Sequence, residues 1–133
     1  MKLASLLLIL TVPAFAAATD DARAREDLVG VWKGRVQDGA TGHILTFTMT
    51  HISGKQGGDD LGQGKFVLDL TKKPWVMDAA CTRGSDKGET YLGIFSLEGD
   101  TLKWCVSPPD NPRPTKLKTE GSSFCLILKR QRD

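Results

Sequence analysis

The chain has 133 residues, 26% of them charged, and its 18 Lys and Arg against 16 Asp and Glu leave a formal net charge of +2. A near-neutral chain with scattered cations has no basic stripe to follow a nucleic-acid backbone and no polybasic patch for an anionic membrane surface. The length suits one domain built around one modest core.

Met1 and Lys2 make a short basic start, LASLLLILTVPAF (3–15) is an apolar run, and small residues follow in AFAAA. Charge, apolar stretch and Ala-x-Ala together form the pattern of a secretory signal peptide over 1–18, with Ala14-Phe15-Ala16 and Ala16-Ala17-Ala18 both fitting the cleavage site. The run falls short of the roughly 20 apolar residues that a membrane span needs. The expectation is therefore an exported protein, periplasmic or extracellular, without a membrane span.

Residues 19–27, TDDARARED, combine helix formers with early acids and predict a single N-terminal helical turn. From Leu28 to the end at 133 the chain alternates apolar and polar residues between turn signals, and this stretch is taken as one barrel domain. Candidate strands are 29–37, 42–51, 64–70, 75–80, 89–97, 101–106, 113–118 and 123–131. Between them lie DGATG, GKQGGDDLGQG, TKKP, TRGSDKG, EGD, SPPDNP and TEGS. Eight short strands in sequence order, joined mostly by short turns, predict an all-β, up-and-down antiparallel barrel.

Period two assigns the faces. His43, Leu45, Phe47, Met49 and His51 share one face; so do Phe66, Leu68 and Leu70; Leu102, Trp104 and Val106; and Phe124, Leu126 and Leu128. The stretch IFSLEGDTLKWC tests the pattern. A two-residue turn at Gly99-Asp100 sets Glu98 against Thr101, Leu97 against Leu102 and Phe95 against Trp104 on the inner face, with Ser96 and Lys103 outside.

In such a meander the first and last strands close the barrel side by side. Trp32, near the start of the first, and Arg130, near the end of the last, then share one end. A guanidinium over an indole face is worth about 1 kcal/mol or more when desolvated. The same guanidinium can donate to carbonyls of the N-terminal turn, and Gly30 leaves room for that turn to pass beneath.

Gly-x-Trp on the first strand with Arg on the last resembles the lipocalin and calycin barrels. More closely, LVGVW, KKPWVMD, YLGIFSLEGDTLKWCV, NPRP and LILKR resemble a family of secreted lipocalin-like proteins common in planctomycete bacteria. The resemblance spans about residues 28–130. It implies the barrel; because the family has no agreed activity, it supplies no catalytic residues. Where that family often has Tyr, this chain has Phe95, which removes a polar handle.

No residue cluster carries a reaction. His43 and His51, read as members of one strand, stand roughly 27 Å apart at about 3.4 Å per residue and cannot share a metal, so both are assigned to the barrel rim. The pair Asp59-Asp60 reads as a solvated turn rather than a calcium loop. Asp78 shares a face with Val76 and has no placed partner for acid–base work. There is no positioned nucleophile and no cofactor or metal fingerprint, so the protein is read as a non-enzyme.

Cys81, Cys105 and Cys125 allow one bridge and lack metal-site spacing. With strands counted as above, Cys81 and Cys105 fall near the Trp32 end and Cys125 near the opposite end. An intervening strand over 113–118 puts Cys125 about 9–10 Å to the side of Cys105, beyond the roughly 7 Å limit between bridged Cα atoms. The expected bridge is Cys81–Cys105, with Cys125 free.

Phe47, Phe66, Phe95, Trp104 and Phe124 are the candidate lining of a ligand cavity. Short strands and large inner side chains tilt the balance toward a filled interior, and eight-stranded barrels go either way. Two readings remain. One is an exported monomeric binding protein for a small apolar molecule. The other is an envelope protein-interaction module or inhibitor with a filled barrel. A connected apolar cavity of about 300 Å³ or more separates them.

Overall fold

Alternation from Leu28 onward leaves every strand with one apolar face, and curling that face inward closes the sheet on itself. The computed structural model describes residues 20–132; the leader read at 1–18 lies outside them. A helix, α1, spans 20–28 and is followed by β1 (Gly30–Val36), β2 (His43–Phe47), β3 (His51–Gln56), β4 (Asp59–Asp69), β5 (Trp75–Arg83), β6 (Thr90–Glu98), β7 (Thr101–Ser107) and β8 (Phe124–Arg130). All eight pair antiparallel in sequence order, and β8 returns to β1 to close the barrel. No helix among the described residues is long and apolar enough to cross a membrane.

Four features differ from the sequence-based expectation. The N-terminal element is more than two helical turns, not one. The segment 42–51 is not one strand. The Thr48 hydroxyl accepts hydrogen bonds from the backbone N–H of Thr50 at 3.2 Å and of His51 at 3.0 Å, and this side-chain-closed turn reverses the chain. The Gly-rich stretch is not a loop but a hairpin, β3 to β4, turned by Gly57 and Gly58 at φ 64° and 135°. Residues 113–118 form no strand; they belong to a connection over 108–123 whose four prolines withhold the N–H groups a ladder needs.

The extra strand and the missing strand cancel in the count but not in direction. With β3 inserted, the strands carrying Cys81 and Cys105 become the fifth and seventh, so both run away from the Trp32 end. With 113–118 removed, β7 and β8 are direct neighbours and Cys105 stands opposite Cys125. The disulfide is Cys105–Cys125, not Cys81–Cys105, and Cys81 is a free thiol.

The barrel has two unlike ends. At the end called the floor, Trp32, Phe47, Phe66, Met77, Phe95 and Leu102 are fully or almost fully buried, and α1 adds Leu28. Phe47 and Phe66 meet edge to face with centroids 5.6 Å apart. Arg25 of α1 lies 4.6 Å from the Phe66 ring centroid and donates to Met49 O at 2.8 Å, so the helix plugs this end. Toward the other end, the mouth, inward positions are held by Gly54, Gly62, Gly64 and Ala79. The side-chain volume that fills the floor is missing there.

A second, smaller core lies outside the barrel wall. Ile94, Cys105 and Cys125 are buried on the outer face beneath the 108–123 connection, with Val76 and Leu117 packed against them. Arg113 pairs with Asp78 through both carboxylate oxygens and holds this connection down, while Asp78 also accepts the Gly93 N–H at 3.0 Å. Asp78 thus faces outward and is structural.

Candidate functional site

The register of the closing strands sets Trp32 opposite Arg130. The guanidinium carbon stands 4.3 Å from the Trp32 ring centroid. Its nitrogens donate to the carbonyls of Val29, at 3.0 Å, and of Asp27, and its Nε donates to Asp100 at 3.1 Å. Gly30 adopts φ 138°, and a Cβ there would stand 3.3 Å from the same guanidinium. Trp32 itself donates to Leu28 O at 2.9 Å and is fully buried. This assembly locks α1 and both terminal strands together and leaves the Trp32 ring fully buried.

The five candidate lining residues divide. Phe47, Phe66 and Phe95 are packed into the floor; Trp104 and Phe124 border an open cup of about 360 Å³ at the mouth. Trp104 is seated by a hydrogen bond from its Nε1 to Met77 O at 3.0 Å, which requires Gly93: a Cβ there would lie 2.6 Å from that nitrogen. The apolar wall of the cup adds Leu45, Ile52, Ala79, Val106 and Leu126. The interior is therefore neither wholly filled nor wholly hollow.

Sequence reasoning missed the polar part of the wall. His43 and His51 begin different strands, β2 and β3, at opposite ends of the barrel. His43 borders the cup and is 8% exposed, and its Nδ1 has no hydrogen-bond partner. Burial holds this imidazole below its ordinary pKa, so it is neutral at pH 7. Across the cup the Tyr91 hydroxyl donates to Asp86, and burial, then this bond, push the phenol far above its usual range. Cys81 also borders the cup; burial, then the charges of Asp86 and Glu89, raise its pKa and keep it a thiol rather than a nucleophilic thiolate. Asp60 is committed to Arg83 at 2.6 Å and to the Gly62 N–H at 2.8 Å. Two signals pointed here: inward glycines alternating as Gly62-x-Gly64 before Phe66, and His43 on the same face as Leu45.

A larger groove, about 830 Å³, lies outside the barrel between α1 and the floor turns. Its basic and acidic side chains are equal in number, and Arg130 and Arg132 are both spent on Asp100. No family model, curated protein or solved structure matches the chain.

Proposed function

We propose that the protein is an exported, non-catalytic binding protein of lipocalin-like type that holds one small, largely apolar molecule in the mouth half of its barrel. The observation that carries this is the cup: about 360 Å³, walled in part by Trp104, Phe124 and aliphatic side chains and in part by polar groups that include His43, Asp86 and Tyr91. That volume lies at the lower end of the range for small-molecule sites. Phe47, Phe66 and Phe95 serve as its rigid base rather than as contacts. Export is supported by the leader pattern at 1–18 and is compatible with the Cys105–Cys125 disulfide.

The test is titration of the protein with N-phenyl-1-naphthylamine, a neutral apolar probe that brightens when desolvated. Saturable binding of one probe per chain, with quenching of tryptophan emission that is lost in Trp104→Phe, is the expected result. No binding overturns the carrier reading and favours an envelope interaction module.

A further inference from the structure

The charges around the cup are one-sided. Among the described residues no Lys or Arg borders it; its ionisable lining is His43, Asp60, Cys81, Asp86 and Tyr91. Arg83 neutralises Asp60 from outside, at 2.6 Å. Asp86 takes part in none of the ion pairs among the described residues; its bond is to the uncharged Tyr91 hydroxyl. Lys87, beside it in sequence, is exposed and does not border the cup.

We propose that the ligand of this cup is a small apolar amine, its ammonium group set against Asp86 and its apolar body against Trp104 and Phe124. The inference rests on the cup being a ligand site. Asp86 is exposed at the rim of the cup, and a carboxylate in the same place would bring a second negative charge beside it with no bordering cation to offset it, so the two repel. An ammonium meets the reverse: an unpaired carboxylate, and aromatic faces that attract cations.

Two further observations agree. Burial first, and then the neighbouring carboxylates Asp86 and Glu89, raise the pKa values of Tyr91 and Cys81, so both stay neutral and neither adds an anion that would replace Asp86 as the partner of a cation. His43, nine-tenths buried at the cup wall with Nδ1 unpartnered, is neutral and adds polar bonding capacity without adding a cation that would favour an anionic head group.

Calorimetry with three probes sharing one apolar body decides the matter: 1-naphthylmethylamine, 1-naphthylmethanol and 1-naphthoate, at neutral pH and low salt. The amine is expected to bind at least about tenfold more tightly than the carboxylate, with the alcohol between them. Asp86→Asn, which keeps an oxygen for the Tyr91 hydroxyl, is expected to remove most of the amine's advantage while leaving the alcohol bound. A carboxylate that binds as well as the amine, or an amine preference that survives Asp86→Asn, overturns the assignment and leaves the cup standing. Absence of binding by all three overturns the cup reading itself. The order of the three probes on the unaltered protein tests the preference for an ammonium head group, and the variant tests its assignment to Asp86.

Discussion

Arg130 and Arg132 carry the same charge two residues apart and share Asp100, yet their surroundings differ. The Arg130 side chain is 18% exposed, covers Trp32 and donates to two backbone carbonyls of the α1–β1 junction; the Arg132 side chain is 68% exposed and touches Asp100 alone. Removing the first uncovers the Trp32 face and deletes two hydrogen bonds to solvent-exposed carbonyls, a loss of about 1–2 kcal/mol carried mainly by the cation–π contact. Arg130→Ala is therefore expected to lower the urea midpoint strongly, and Arg132→Ala to leave it almost unchanged, as exposed pairs contribute little. Equal midpoints for the two variants would refute the role given to Arg130 in closing the barrel.

His43 makes a pH prediction at the same scale. Its folded pKa lies below the unfolded value of 6.5, so below that pH the unfolded chain binds the proton more readily. Stability contributed by the neutral ring is complete above the unfolded pKa and declines as pH falls toward the folded one. The urea midpoint is expected to drop as the pH falls through 6.5, and His43→Gln to flatten that drop. Asp60, Asp69 and Asp100, all held below their ordinary value of 3.8 chiefly by hydrogen bonds to their charged form, lose their contributions only at lower pH. A decline of the same size in His43→Gln would assign it to another group.

At the scale of elements, the β7–β8 pair is joined by the longest connection among the described strands, 108–123, and tied at its base by Cys105–Cys125. Closing a loop with a sequence separation of 20 is worth about 3 kcal/mol in the chain-entropy account. Peptide mapping without reductant is expected to recover Cys105 joined to Cys125 and Cys81 as a free thiol. Reduction is expected to cost most of that stability in the original protein and none in Cys105→Ala/Cys125→Ala. The bridge was misread in the sequence for two reasons: a strand was assigned over 113–118 between Cys105 and Cys125, and Thr46, Thr48 and Thr50 continue the alternation straight through a turn. The hydroxyl that makes Thr48 a turn residue leaves no trace in a two-residue period. The reversed strand directions followed from that single omission.

The hairpin of β6 and β7, by contrast, was legible to the residue. Phe95 pairs with Trp104, Leu97 with Leu102 and Glu98 with Thr101, as the Gly99-Asp100 turn requires. A two-residue turn sets register locally, and no distant contact has to agree. Trp32 against Arg130 was legible too, since closure of an antiparallel meander puts the first and last strands side by side whatever happens between them.

At the scale of the molecule, the cup exists because inward positions near the mouth are small. Gly54 lies at its wall, and a Cβ there would meet only the mobile end of Leu45, at 3.0 Å, and Leu61, at 3.6 Å. Gly54→Leu is expected to fill the cup and abolish binding of N-phenyl-1-naphthylamine. Its urea midpoint should hold or rise, because glycine weakens a strand by roughly 0.5–1 kcal/mol. Unchanged probe affinity in a folded Gly54→Leu would place the site elsewhere on the protein.

Strand alternation, turn chemistry and the terminal Trp and Arg determined by themselves that this chain forms an antiparallel meander closed at Trp32, because each rests on neighbours in sequence or on closure alone; the count of eight came out through two assignments that cancel. Whether the barrel is hollow, which cysteines meet and which polar groups share a wall were decided only by the tertiary structure. Those outcomes depend on side chains from several strands at one height along the barrel axis. Height is set by the sum of every turn and register before it, so one unrecognised turn at Thr48 changes which end of the barrel a residue occupies.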